Sequence, residues 1–217
     1  MEFHDQQWKR KLERFAKEIA AISIEDDTDF FDAERPIFYS AFVVRKLIED
    51  AAVTDALKGR SVDVIACPSS RGGREIFIEV AAGPMAAEEN FDLTAGKKTR
   101  ISIEDLTSEI IHCDGFVWDW SSPPPHAFLV FSYRHTLKRA LYVTIDTFLK
   151  VLTSVLNDRP RHWWISKDLK TGKLTRHVAA KRPAGKVVVV PPDSEISAVF
   201  SKWIKDGKPG ANSDPPP

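Results

Sequence analysis

The segment CPSSRGGR, from Cys67 to Arg74, combines side chains that could act on a phosphate ester. A cysteine thiolate is a nucleophile and arginines bind phosphate, so Cys67, Arg71 and Arg74 are candidates for the site of a small hydrolase or phosphodiesterase. Such a site needs a helix after the loop, whose N-terminal amides bind the phosphate and lower the thiol pKa. The residues that follow, EIFIEV, alternate as a strand does. We therefore expect a hairpin loop, whose amides could still form an anion-binding nest.

A second pattern is typical of a metal-dependent enzyme. His112 and Asp114 lie two residues apart, and His177 follows 63 residues after Asp114. An HxD pair with a distal histidine is the ligand set of a non-haem iron site. The same residues also suit a helix end at His112 and an Asp-Gly turn at Asp114. Because this spacing arises readily by chance, no metal and no other cofactor is expected.

Basic residues are concentrated near the C-terminal end, although the chain as a whole has 31 basic and 31 acidic residues. Residues 159–217 carry twelve basic against five acidic side chains. Two tryptophans and two histidines lie among them, and cations beside aromatic rings can hold a phosphate backbone and stack on its bases. The candidate residues for an anionic partner, nucleic acid first and an acidic protein second, are Arg134, Lys138, Arg139, Arg161, Trp163, Lys167, Lys170, Lys173 and Arg176.

A structural interpretation of the same residues competes with this one. Lysines and arginines on hairpins discourage edge-to-edge pairing, and adjacent strand residues face opposite sides, so one of the two tryptophans is expected in the core. No helix-turn-helix, zinc-finger, RRM or KH signature occurs in the chain. If the tips of the two basic hairpins point the same way, they form one basic face.

Motifs of the common enzyme classes are absent from the sequence. There is no GxxxxGK[ST], GxGxxG, HExxH or GxSxG, the usual carriers of ATP, dinucleotide, zinc-protease and serine-hydrolase chemistry. The sequence thus favours a non-enzymatic binding protein, with the small hydrolase or metal-dependent enzyme as the alternative. A third alternative is a protein-protein interaction module, or a homodimer through the apolar stripe from Trp8 to Ile22.

The spacing of apolar residues predicts the elements that position these sites. Repeats of three and four indicate helices over 5–24, 36–51, 103–112, 146–157 and 194–206, with one turn at 55–57. Pro36 is expected to begin the second helix, Ser102 to cap the third and Asp146 the fourth. Alternation indicates strands over 62–66, 76–80, 99–101, 116–120, 127–133, 141–145 and 186–190, and a hairpin over 161–178.

These elements predict an α+β fold, with an N-terminal helical layer packed on a mostly antiparallel or mixed sheet. Residues 1–58 and the sheet region 59–206 are expected to form one compact domain, followed by a disordered tail over 207–217. Two widely separated cysteines, no secretion signal and no apolar run near the roughly 20 residues that span a bilayer predict a soluble, cytoplasmic protein without disulfides or a membrane partner.

Overall fold

The fold is α+β, as the apolar spacing predicts. The computed structural model describes residues 2–22, 30–70, 90–119, 125–132, 138–167 and 174–181. Within them the helices are α1 (Glu2–Ala20), α2 (Phe30–Glu49), α3 (Asp55–Lys58), α4 (Ile103–Ile111) and α5 (Ile145–Asn157). The strands are β1 (Ser61–Pro68), β2 (Lys97–Ser102), β3 (Gly115–Trp118), β4 (Ala127–Phe131), β5 (Arg139–Thr144), β6 (His162–Lys167) and β7 (Leu174–Ala179).

The main sheet has five strands in the order β2-β1-β5-β4-β3, and every pairing in it is antiparallel. Strand β1 lies inside this sheet, with β2 on one side and β5 on the other. Ile65 of β1 pairs with both Lys98 of β2 and Tyr142 of β5. Strands β6 and β7 form a separate antiparallel hairpin.

Helices α1, α2, α4 and α5 pack on one face of the sheet. Because successive strand residues point to opposite faces, Val62 and Val64 of β1 and Leu141 and Val143 of β5 all join the helical core. The largest fully buried helical side chains in this core are Leu12, Ile19, Ile37, Leu47, Ile103, Leu106, Ile110 and Phe148. In the part of the chain described, no helix combines the length and the apolar character that crossing a bilayer requires.

The apolar stripe of α1 is used inside the chain. Leu12, Phe15 and Ile19 are buried in the core, and Trp8 and Ile22 pack against it as partly buried residues. The amino group of Lys11 lies over the Trp8 ring, 5.1 Å from its centroid. This face therefore lies against α2 and α5 and does not form an open seam for a second copy.

Two predicted helix starts need correction. Helix α2 begins at Phe30, so Pro36 lies inside it and not at its first position. The buried Ala33 packs in the core, and this packing favours the earlier start over the local proline preference. The N-cap of α5 is Thr144, whose hydroxyl accepts a hydrogen bond from the Thr147 amide, and Asp146 lies in the first turn. The cap of α4 by Ser102, bonded to the Asp105 amide at 3.0 Å, is as predicted.

Asp158, the C-cap of α5, joins three segments. Its carboxylate accepts hydrogen bonds from the Thr54 amide at 2.6 Å and the Thr54 hydroxyl at 3.0 Å, and its carbonyl accepts one from Lys9 at 2.8 Å. Thr54 in turn caps α3 through the Leu57 amide. One residue thus fixes the end of α5 against α1 and against the entry to α3.

Several expectations fall on residues that are not described. They are the strands at 76–80 and 186–190, the helix at 194–206 and the tail at 207–217.

Gly115 begins β3 directly opposite Phe131 of β4. A Cβ atom at this position would lie 2.1 Å from Cζ of the Phe131 ring. That ring is 1% exposed and packs with its centroid 5.0 Å from that of Phe91. The ring therefore has little room to move, and glycine is required here because the aromatic ring covers its backbone.

We predict that Gly115→Ala lowers the free energy of unfolding by about 1–3 kcal/mol, the usual cost of overpacking a core. Gly59→Ala is the matched control, because its Cβ would meet nothing closer than the Asp55 carbonyl oxygen at 3.5 Å. That variant should lose no stability, since its backbone is compatible with alanine. Urea denaturation measures both, and an equal loss in the two variants would contradict the packing argument.

Candidate functional site

The β6–β7 hairpin attaches to the helical side of the protein through its buried face. Trp163 is 6% exposed and packs with Val178 against Ala51 and Ile165. The indole nitrogen of Trp163 has no hydrogen-bond partner. Of the two tryptophans, Trp163 is therefore the core residue, and its ring is not open to a nucleic-acid base.

The opposite face of the hairpin carries Trp164, which stacks on His177. Their rings are 5.2 Å apart at an interplanar angle of 17°. His177 also bonds through Nδ1 to the Asp55 carboxylate at 3.0 Å, at the beginning of α3. These contacts hold the hairpin in a defined position and give His177 a structural role.

Exposed cations rim the hairpin. Arg161 and Lys181 lie at its base, where the Arg161 amide bonds to the Ala179 carbonyl at 3.0 Å. Arg176 is exposed as well, and its guanidinium lies 5.4 Å from the centroid of the Trp163 ring. Lys170, Lys173 and the side chain of Lys167 are outside the described part of the chain.

Lys138 and Arg139 lie elsewhere, at the beginning of β5. Arg139 pairs with Pro68 at the C-terminal end of β1, whereas the hairpin contacts α3, which precedes Ser61 at the N-terminal end. The seven residues between these ends span about 23 Å of strand. The described residues therefore place the two basic groups apart, and Arg134 lies outside them.

Pairing with carboxylates distinguishes two sets of cations. On the helices, most exposed cations have an acidic partner three or four residues away, as in Arg14–Glu18, Lys17–Glu13, Arg35–Asp32, Lys46–Asp50 and Lys150–Asp146. Across the described ranges, no carboxylate lies at ion-pair distance from Lys97, Lys98, Lys138, Arg139, Arg161, Arg176 or Lys181.

Cys67 lies in a buried strand and not in an open loop. It is 1% exposed, and burial raises the pKa of its thiol to about 11, with a smaller contribution from Asp92. The amides of Ser69 and Ser70 bond to the carbonyls of Lys138 and Asn90, so neither is available for an anion nest. Arg71 and Arg74 lie outside the described residues.

The predicted metal ligands are placed as their structural interpretation requires. His112 is the C-cap of α4, with its amide bonded to the Ser108 carbonyl. The Asp114 amide bonds to the Phe131 carbonyl at 2.9 Å, and His177 is held by Asp55. In the described ranges, no three histidine, cysteine or acidic side chains come together as a metal-binding group.

A cleft that the sequence did not indicate opens on the sheet face opposite the helices. Its volume is about 800 Å³. Asp63 and Ile65 of β1, Lys98 and Arg100 of β2 and Tyr142 of β5 line it. Thr144 and Thr147, at the beginning of α5, complete the lining at one end. Elsewhere on this face Phe91 and Leu93 pack over Cys67, Leu129 and Phe131 in a second apolar cluster.

Three side chains form a hydrogen-bonded cluster beside the cleft. The Tyr142 hydroxyl donates to the buried Asp119 carboxylate at 2.7 Å, and His126 Nε2 lies 2.9 Å from the same hydroxyl oxygen. Because the phenolic proton goes to Asp119, the imidazole donates to Tyr142 when its Nε2 is protonated. Burial and the hydrogen bond to Asp119 raise the pKa of Tyr142, so the phenol stays protonated at neutral pH.

No protein-family model, curated protein or solved structure matches this chain. Its function must therefore be inferred from the side chains themselves.

The thiols provide a direct test of the Cys67 environment. Burial raises the pKa of Cys67 to about 11 and that of Cys113 to about 12, from an ordinary value of 9.0. At pH 8 the thiolate fraction is then about 100-fold below that of an ordinary cysteine, or less. We predict that dithionitrobenzoate labels both thiols at least about 100-fold more slowly than free cysteine, and rapidly once the protein is unfolded. Fast labelling of Cys67 in the native protein would contradict this.

The cluster at Tyr142 provides a second test. Tyr142→Phe removes the donor to a buried carboxylate, which should lower the free energy of unfolding by about 1–3 kcal/mol. Tyr39→Phe is the control, because Tyr39 is 52% exposed and its hydroxyl bonds to no described residue. Because the folded-state pKa of Tyr142 is raised above 10.0, its contribution should be complete below that pH and decline above it. Urea denaturation between pH 7 and 11 measures this, and a constant difference would argue against it.

Proposed function

We propose that this protein binds an anionic partner, nucleic acid first, through the basic surface at the base of the β6–β7 hairpin. We define that surface as Arg159, Arg161 and Lys181. The observation that carries the proposal is that Arg161 and Lys181 are exposed with no carboxylate at ion-pair distance among the described residues, whereas most exposed helical cations are paired.

The positive charge extends beyond these two residues. Arg159 lies close enough that its charge, together with the larger effect of burial, lowers the pKa of Lys9. Its guanidinium bonds only to the Leu156 and Asp158 carbonyls, which do not neutralise it. Cations that are not neutralised by the protein can replace the counterions of a phosphate backbone.

The mode of binding is electrostatic and not by base stacking. Trp163 is buried, and the Trp164 ring already stacks on His177. Contacts to phosphates position a protein on nucleic acid without reading its sequence. We therefore expect affinity that depends strongly on salt and weakly on sequence.

The enzyme alternative has less support. The thiol of Cys67 is buried, with a raised pKa, which is the opposite of an activated nucleophile. An acidic protein is a weaker alternative to nucleic acid, because it would use the same cations.

Fluorescence anisotropy with duplex DNA and single-stranded RNA between 50 and 200 mM salt tests the proposal. In Arg161→Ala/Lys181→Ala the slope of log K against log salt on duplex DNA should fall by about 1.8, which is about 0.9 for each phosphate contact. The loss of affinity across this salt range then becomes roughly 12-fold smaller. Arg14→Ala/Lys17→Ala removes the same charge from paired positions and should leave the slope unchanged.

Two results would overturn the proposal. One is no binding of any nucleic acid at 50 mM salt, and binding of polyglutamate in that case would indicate the acidic-protein alternative. The other is an equal loss in the two double variants, because that would show an effect of net charge and not of this surface.

A further inference from the structure

The cleft on the open sheet face is separate from the hairpin surface and shares no residue with it. Its volume of about 800 Å³ lies within the range of small-molecule sites, roughly 300–1,000 Å³. A lone inorganic ion would leave most of this space to water. The cleft therefore suits a ligand of the size of a sugar phosphate or a nucleotide.

Two cations lie along one side of the cleft. Lys98 and Arg100 are two residues apart on β2, so their side chains point to the same face from Cα atoms about 7 Å apart. Lys98 has no ion pair with any described residue. Arg100 uses its Nε for the Asp63 carboxylate at 3.0 Å, which leaves the N–H groups of both Nη atoms for a ligand. An arginine fork beside a lysine point charge suits a phosphate group.

The remaining polar groups call for hydroxyl groups on the same ligand. Asp63 is 78% exposed, and its Oδ1 accepts from Arg100, so Oδ2 can accept a proton from a ligand hydroxyl. The Thr147 hydroxyl accepts a hydrogen bond from Thr144 at 2.8 Å and keeps its own proton to donate. A ligand with only an anionic group would leave the carboxylate of Asp63 unused.

A fixed wall adjoins these polar groups. The Tyr142 hydroxyl is held by Asp119 at 2.7 Å and contacts His126 at 2.9 Å, so the ring has a defined position before any ligand binds. Ile65, paired with Tyr142, provides an apolar floor. Preorganised groups of this kind bind more tightly because less freedom is lost on binding.

We propose that this cleft binds a small sugar phosphate. The phosphate contacts Lys98 and Arg100, the sugar hydroxyls bond to Asp63 and Thr147, and the sugar ring packs on Tyr142 and Ile65. This site is additional to the proposed anionic surface of the hairpin and does not depend on it.

Isothermal titration of the full chain tests the ligand class with four probes: ribose 5-phosphate, ribose, AMP and inorganic phosphate. Ribose 5-phosphate should bind at least about tenfold more tightly than ribose or inorganic phosphate, because each lacks one of the two groups recognised. AMP binding more tightly than ribose 5-phosphate would support the proposal and identify a nucleotide as the source of the sugar phosphate. Equal binding of inorganic phosphate and ribose 5-phosphate, or no binding of either, would overturn it.

Adjacent lysines supply a matched pair of variants. Lys98→Ala should raise the Kd for ribose 5-phosphate about tenfold, the effect of losing one charge-assisted hydrogen bond. Lys97 is also exposed and unpaired among the described residues but faces the other side of β2, so Lys97→Ala should change the Kd less than about twofold. Equal effects of the two variants would contradict the assignment. Both side chains are solvent-exposed, and thermal unfolding verifies that both variants fold.

The two proposals fail independently. Arg161→Ala/Lys181→Ala should bind ribose 5-phosphate as the unaltered protein does, and Lys98→Ala should keep its affinity for duplex DNA. If Lys98→Ala instead abolished DNA binding while no small probe bound, the cleft would be part of a nucleic-acid surface and the sugar-phosphate proposal would be wrong.

Discussion

The register of β1 between β2 and β5 is the constraint on which both the core and the cleft depend. Ile65 pairs with Lys98 on one side and with Tyr142 on the other, so these three side chains share a face. The neighbouring Val64 points the other way, into the helical core. A slip of one residue would place Val62 and Val64 on the open face and turn Asp63 toward the helices. Burial of the valines thus also holds the polar side chains of the cleft in place.

Most of the fold could be predicted from local patterns, because the patterns reflect burial. The spacing of three and four apolar residues indicated α1, α4 and α5, and the Ser102 cap is a contact between residues three apart. Prediction was less accurate where distant contacts decide. The start of α2 at Phe30 depends on burial of Ala33 by the rest of the core, which no local proline rule includes.

The functional surface was predictable only in part. Alternation indicated that one hairpin tryptophan would be buried, and Trp163 is. By contrast, the cleft joins Asp63, Lys98 and Tyr142 from three strands, and only the strand order brings them together. The contact of Tyr142 with Asp119 and His126 likewise requires the pairing of β3, β4 and β5. The burial of Cys67 under Phe91 could not be read from its loop-like neighbours.

The outer strands of the main sheet also bear on how the protein behaves at high concentration. Within the described residues β2 pairs on one side only, and three of its first four residues are Lys97, Lys98 and Arg100. At the other margin β3 is only four residues long. A row of repelling charges and a short edge both oppose the addition of a strand from another molecule. The same lysine that lines the cleft thus also helps to prevent aggregation through the sheet edge.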